Sequence, residues 1–311
     1  MGGLCSDMDS RYGLGDLNDD GVLNVLDVIQ IVNIITGMIG EPSEYQLMAG
    51  DVNQSGDIDI LDVVQLVNAI LGIIELPSWI DRVLFIGNSY TASNGGLATH
   101  LEGLVREIHP GWQFEAEQIT YGGFTLENHF NTPATLETIQ SGSWDIVILQ
   151  EQSTRPLDNP ELMFQYADSL DSYISASGAH TMFFMTWARE NDPEMIIGLS
   201  NAYEFIADEL GAMLAPVGLA FTAALATNPE IDLYAADGSH PSGLGTYLSA
   251  CVFFAAILDE SPVGNDYNFP QDMTDEERIF LQTVAWESVR GFDTIRQQAQ
   301  KQSDALKHQK N

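Results

Sequence analysis

From residue 82 onward, short apolar runs alternate with stretches whose apolar positions recur every three or four residues. That alternation is the signature of buried strands interleaved with amphipathic helices. Arg82–Ile86 predicts a first buried strand, followed by a helix over Leu97–Ile108. Gln113–Thr120 predicts a second strand, Trp144–Leu149 a third, Thr181–Trp187 a fourth and Met213–Val217 a short fifth. Helices are expected over Leu162–Ser175, Met195–Leu210, Gly243–Leu258 and Asp275–Val289. Strands alternating with helices imply an α/β fold: a doubly wound parallel sheet covered on both faces. In such a sheet, ligands collect at the carboxyl ends of the strands. Catalytic side chains are therefore expected just after strands.

Before residue 80 the pattern is different. Residues 15–27 and 50–62 match at an offset of 35 residues, and each copy runs into an apolar helical stretch, Val28–Met38 and Val63–Ile73. Oxygen-bearing groups fall at loop positions 1, 3, 5, 9 and 12, with glycine at 6. These are Asp16, Asn18, Asp20, Asn24 and Asp27 in the first copy, and Asp51, Asn53, Ser55, Asp59 and Asp62 in the second. The carbonyls of Val22 and Asp57 supply position 7. A hard cation such as calcium takes such an all-oxygen set, and glycine at 6 permits the sharp turn. Two loops in register predict two structural calcium ions and a small all-α module over residues 14–76.

That module resembles a type I dockerin, whose loops end in aspartate, as at Asp27 and Asp62. The resemblance implies an extracellular protein that docks onto a cohesin domain of a scaffold. Loop positions 10 and 11, Val25-Leu26 and Ile60-Leu61, would help select that partner. Two features depart from the usual dockerin pattern: the module is N-terminal, and the link that follows it is short, without a Pro/Thr-rich tether. The expected organisation is an N-terminal tail (1–13), the module (14–76), a short linker (77–81), the α/β domain (82–297) and a polar C-terminal tail (298–311).

Charge narrows the function. The chain carries 45 acidic residues against 11 basic ones, and its lysines, Lys301, Lys307 and Lys310, all lie in the last eleven residues. Such a surface repels phosphate backbones and anionic bilayers, so no nucleic acid and no membrane is expected as a partner. No apolar run reaches the roughly 18 residues of a membrane helix. Met1-Gly2-Gly3 lacks the basic start and apolar stretch of a signal peptide, so the chain reads as mature or trimmed. Cys5 and Cys251 do not form an obvious pair, because Cys251 lies inside the apolar run Leu248–Leu258.

The chemistry gathers at two points. Gly87-Asn88-Ser89 follows the first strand directly, so the Ser89 hydroxyl sits on a strand-to-helix turn beside free backbone N–H groups. Asp237-Gly238-Ser239-His240 precedes an apolar helix, and a spacing of three lets the carboxylate orient one ring nitrogen while the other faces a hydroxyl. Together these segments resemble the SGNH (GDSL-like) hydrolases over roughly residues 82 to 260. The resemblance implies a flavodoxin-like α/β/α sandwich, a Ser89-His240-Asp237 triad and no catalytic cofactor. It also implies an oxyanion hole from Ser89 N–H, Gly123 N–H in Tyr121-Gly122-Gly123, and Gln152, where the family uses asparagine. Asn88 stands where the family has aspartate. Gln150 is the competing oxyanion donor, and Asp232 an alternative triad acid.

The remaining candidates read as structural. His100, His109 and His180 lack metal-ligand spacing. His129 reads as a helix-surface residue or one behind the catalytic groups. Trp144 and Trp187 read as core, with Trp187 able to wall the substrate site, and Glu151 reads as a structural carboxylate. The expected function is a secreted serine esterase, first a carbohydrate acetyl esterase acting on acylated polysaccharide. The alternatives are a general short-chain carboxylesterase or lipase-like enzyme, and a non-catalytic binding module on the same fold.

Overall fold

The computed structural model describes residues 13–53, 55–74, 76 and 80–309. Most of the expected N-terminal tail, including Cys5, residues 77–79 of the expected linker, and Lys310 lie outside the described residues. Two units, Met1–Trp79 and Ile80–Asn311, divide the chain.

In the N-terminal unit, α1 (Val25–Ile35) and α3 (Ile60–Ile70) begin three residues earlier than the apolar pattern suggested. Asn24 and Asp59 cap them, and Asp27 and Asp62 sit at N3 and return the bond, so each metal-type loop ends as a capping box. Loop positions 10 to 12 are thus the first helical turn. A third helix, α2 (Glu44–Gly50), lies between the repeats and opens with its own capping box, Ser43 with Gln46. Leu17, Ile31, Ala49, Val52 and Leu66 form the small core.

The larger unit is a five-stranded parallel sheet in the order β2-β1-β3-β4-β5. Its strands are β1 (Arg82–Gly87), β2 (Glu115–Thr120), β3 (Ile146–Leu149), β4 (His180–Phe184) and β5 (Met213–Ala215). Alternation along the strands sorts the core into two faces. Val83, Phe85, Ile146, Ile148, Met182 and Phe184 pack under α5 (Leu97–Ile108), α11 (Val217–Thr227), α12 (Gly243–Leu258) and the start of α13 (Asp275–Gln309). Leu84, Ile86, Val147, Leu149 and Phe183 pack under α7 (Pro133–Ser141), α9 (Pro160–Ala176) and α10 (Met195–Leu210). Three short helices, α4 (Ser89–Ala92), α6 (Leu126–Phe130) and α8 (Arg155–Asp158), follow β1, β2 and β3.

From β1 the chain moves to β2 on one side and returns to β3 on the other, so the strand order reverses at β1. The pairs Gly87↔Thr120 and Ile86↔Leu149 bring residues 88–89, 121–123 and 150–152 to one edge at that switch point. The backbone continues as helix to Gln309, where a polar tail was expected from residue 298. The run is rich in Gln, Ala and Lys, all good helix formers. Cys251 is buried and free. No helix among the described residues is long and apolar enough to cross a membrane.

Candidate active site

The turn after β1 is built by close packing. A Cβ at Gly87 would stand 2.5 Å from Thr91 Oγ1 and 2.6 Å from Gln150 Oε1, so only glycine fits there. Asn88 caps α4 by accepting from Tyr90 N at 3.1 Å and donates through Nδ2 to Phe124 O at 2.9 Å. The second bond needs an amide. Aspartate could cap the helix but could not donate to a carbonyl. Asn88 thereby joins the Ser89 turn to the Gly123 turn.

The Ser89 hydroxyl lies 2.8 Å from His240 Nε2. On the far side of the ring, Nδ1 meets Asp237 Oδ2 at 2.5 Å, and Asp237 Oδ1 accepts from the backbone N–H of His240 at 2.9 Å and of Ser239 at 3.0 Å. An ionised carboxylate only accepts, so Nδ1 carries the proton and Nε2 is left to accept from Ser89. The His240 side-chain bond, followed by the two backbone N–H bonds, holds the Asp237 carboxyl down to about 2. It stays charged through any working pH. Asp232 offers His240 nothing among the described residues; its carbonyl accepts from Ser242 Oγ instead.

Aromatic residues fix the loop that carries the imidazole. Tyr90 stacks on Trp187 at 4.7 Å, and Trp187 stacks on Phe221 at 4.3 Å. Tyr90 OH lies 2.6 Å from Ser239 Oγ, and Trp187 Nε1 donates to Ser239 O at 3.0 Å. The residue just before His240 is thus gripped by both rings. Trp187 is buried, a core wall behind the site, and lies beyond β4, which ends at Phe184. Trp144 is also buried and precedes β3.

The expected oxyanion donors fare differently. Among the described residues, neither Ser89 N–H nor Gly123 N–H donates to a protein acceptor, and Gly123 has the positive φ of 71° that such a turn requires. Gln152 Oε1 caps the next turn, accepting from Thr154 N at 2.9 Å and Arg155 N at 3.0 Å. Its amide nitrogen donates to Ser153 Oγ at 3.2 Å, which leaves one hydrogen of the pair. Gln150 is fully buried, with Oε1 accepting from Asn88 N and Thr91 Oγ1, both at 2.9 Å, and Nε2 donating to Glu151 O at 2.6 Å. Its oxygen holds β3 to the Ser89 turn, and its amide nitrogen is turned back onto the adjacent backbone.

His129 is not a surface residue: it is buried, with Nε2 donating to Gly87 O at 2.8 Å. Burial lowers its pKa, so the ring is neutral and serves as a prop beneath the turn. This is the second of the two readings of His129; its partner, 42 residues away, was not readable from spacing. His100 sits between Tyr267 OH and Asn94 O, His109 pairs with Glu260 at 2.7 Å, and His180 is exposed at the start of β4.

In the N-terminal unit both loops wrap the same way. Asp16 accepts from Asp20 N and Gly21 N, as Asp51 does from Ser55 N and Gly56 N. Asp27 and Asp62 are fully buried and close the loops onto Asn18 and Asn53 N–H. Burial raises the Asp27 carboxyl, and the charges of Asp16 and Asp20 add to the effect against two opposing backbone bonds. That crowding of like charge is what a bound cation relieves. Among the described residues no group of three or more His, Cys, Asp or Glu side chains is placed to hold a metal ion. Val25, Leu26, Ile60 and Leu61 are all exposed apolar residues.

Residues 14–71 match the family profile of the Dockerin type I domain. A solved structure from Slackia heliotrinireducens, whose description assigns it provisionally to the SGNH hydrolases, is 29% identical with a TM-score of 0.50. The match covers 58% of this chain and 100% of that one. A DUF4886 family protein from Bacteroides uniformis is 18% identical with a TM-score of 0.51, over 67% of this chain and 94% of that one. No curated protein matches the chain. The chain therefore joins a segment that matches the Dockerin type I domain to an α/β unit with the fold of the SGNH hydrolase-like structure.

Proposed function

We propose that the α/β unit is a serine ester hydrolase with Ser89 as nucleophile, His240 as general base and Asp237 as its orienting acid. The observation that carries this reading is the continuous chain of contacts from Ser89 Oγ through both His240 nitrogens to Asp237, at 2.8 and 2.5 Å. Ser89 Oγ attacks the ester carbonyl carbon while His240 Nε2 takes its proton, giving a tetrahedral oxyanion. Ser89 N–H, Gly123 N–H and the remaining hydrogen of the Gln152 amide stabilise that charge. The oxyanion then collapses, the C–O bond to the alcohol breaks, and His240 returns the proton to the departing oxygen. Water repeats the sequence on the acyl-enzyme and releases the acid. An alkyl phosphonate ester bearing a good leaving group tests the nucleophile: its phosphonyl mass should appear on the Ser89 peptide alone, and labelling elsewhere refutes the assignment.

An acylated polysaccharide is the substrate class this reading favours, with acetyl as the acyl group, because a dockerin serves to bring its enzyme to an insoluble polymer. Release of acetate from acetylated polysaccharide should outpace hydrolysis of long-chain p-nitrophenyl esters; the reverse order would favour a general carboxylesterase.

Gln150 and Gln152 should separate cleanly. Gln152→Ala should lower kcat about a hundredfold with KM little changed, the scale of losing one oxyanion donor. Gln150→Ala should instead cost about 2–3 kcal/mol of stability, by stranding Asn88 N–H and the Thr91 hydroxyl in a buried site. Denaturant melts beside steady-state kinetics on both variants decide this. A turnover loss without destabilisation in Gln150→Ala would reverse the assignment.

The dockerin reading carries calcium, extracellular location and a cohesin partner with it. Asp16, Asn18, Asp20, Asn24 and Asp27 with the Val22 carbonyl would hold one ion, and Asp51, Asn53, Ser55, Asp59 and Asp62 with the Asp57 carbonyl a second. Chelation should collapse α1 and α3, since the carboxylates then repel one another. The first loop should bind more tightly, because Asp20 carries a charge where the second loop has Ser55. Titration calorimetry of the full chain should show two unequal calcium sites, and one site or none refutes the pairing. The exposed apolar pairs Val25-Leu26 and Ile60-Leu61 are suited to a cohesin surface, and replacing both pairs with serine should abolish calcium-dependent binding to one.

A further inference from the structure

Glu151 is a buried carboxyl group that the proposed reaction leaves without a task. It stands directly after β3 and is 1% exposed. A single oxygen, Oε1, accepts from Gln152 N at 2.6 Å and from Leu126 N at 3.3 Å. Leu126 opens α6, three residues beyond Gly123, and Gln152 lies in the next crossover, so one oxygen ties the two segments that supply the oxyanion donors. The other oxygen, Oε2, is buried without a hydrogen-bond partner. A carboxylate left half-satisfied in a core is expensive, and a glutamine would fill the same space.

Resting on the hydrolase reading above, we infer that Glu151 is a positioning residue for the oxyanion side of the site, and that its ionised form draws the Gly123 and Gln152 segments together. Bonds from N–H groups to a carboxylate are about twice as strong as those to a neutral acceptor. Protonation weakens both at once and loosens the hole, with no direct contact to substrate.

The surroundings set where this happens. Burial is the largest influence and pushes the Glu151 carboxyl up to about 7, against the two backbone N–H bonds and the nearby Arg155 charge. Glu127 of α6 raises it further but is itself paired with Arg155 of α8 at 3.2 Å. From α10 the facing group is Tyr203, whose hydroxyl accepts from Glu151 N at 3.3 Å and whose own pKa is raised, first by burial and then by the Glu151 charge. The tie is therefore strong at alkaline pH and weak at acid pH, with the change near neutrality.

The test compares wild type with Glu151→Ala and Glu151→Gln on p-nitrophenyl acetate from pH 5 to 9. Glu151→Ala should lose about thirtyfold to a hundredfold in kcat with KM within twofold, the cost of a small misplacement of catalytic groups. Glu151→Gln keeps an acceptor at Oε1 but not the charge, so at pH 9 it should recover only part of that loss and stay clearly below wild type. In wild type the acid limb of kcat should be steeper near neutrality than in Glu151→Gln, because Glu151 adds its own titration there. Thermal melts give a readout that needs no turnover. The native state holds a proton that the unfolded chain has released between its ordinary carboxyl pKa and about 7. Wild type should therefore lose Tm relative to Glu151→Gln as pH rises through that window. A flat Tm difference, or equal acid-limb slopes in active wild type and Glu151→Gln, overturns the inference alone. Wild type without Ser89-dependent turnover overturns the hydrolase reading, and this inference with it.

Discussion

Ser89→Ala should abolish hydrolysis of p-nitrophenyl acetate, lowering kcat by about 10⁴- to 10⁶-fold, the range for removing the nucleophile of a triad. The side chain is half-buried, and among the described residues its hydroxyl makes one hydrogen bond, to His240 Nε2 at 2.8 Å. Removing it creates no sizeable cavity, so stability should change by less than about 0.5 kcal/mol. His240→Ala should lose a similar amount of activity, because a serine without its base is a poor nucleophile. The double variant should be no worse than either single one, since the two residues act as a unit. Retention of more than a tenth of wild-type activity in Ser89→Ala would mean that the ester is cleaved elsewhere. An unaltered melt beside lost activity is the pattern that separates catalysis from folding.

The catalytic candidates were legible because their signals are local. Gly87, Asn88 and Ser89 announce a tight strand exit, and the three-residue spacing of Asp237 and His240 is short enough for one loop to deliver both groups. The calcium-type loops were legible by repetition, and their capping boxes explain why α1 and α3 start at position 10 of each loop. What stayed hidden depends on distant partners. His129 beneath Gly87, Gln150 beneath Asn88 and Glu151 across to Leu126 are joined over 42, 62 and 25 residues. No periodicity records such contacts. Short elements were missed for another reason. The α2 and α8 helices span seven and four residues, too few for a helical period to emerge, although Ser43-x-x-Gln46 carried a readable capping signal. Trp187 was drawn into β4 by its apolar neighbours. The strand stops at Phe184, and beyond it Trp187 packs sideways between Tyr90 and Phe221.

Asp237→Asn should be nearly as damaging as loss of the nucleophile, lowering kcat by about 10³- to 10⁴-fold with KM little changed. Three bonds converge on this carboxylate: His240 Nδ1, His240 N and Ser239 N. Asparagine can accept the backbone pair through its oxygen, but it then turns its NH₂ toward Nδ1. That favours the tautomer with its proton on Nε2, which points a donor at a hydroxyl that needs an acceptor. Geometry survives while the base is silenced. The Asp237 and His240 side chains are 51% and 38% exposed, so water can partly replace the lost carboxylate, which is why the lower end of the range applies here. The pH dependence follows with a definite sign. The Asp237 carboxyl is depressed to about 2, so its contribution is present above the ordinary carboxylate range and is lost only as pH falls through about 2. It cannot produce a change in activity near neutrality, where Glu151 titrates. In Asp237→Asn some activity should return at high pH, where hydroxide can deprotonate Ser89 without the imidazole. An Asp237→Asn enzyme with wild-type turnover would show that another group, or solvent alone, orients His240.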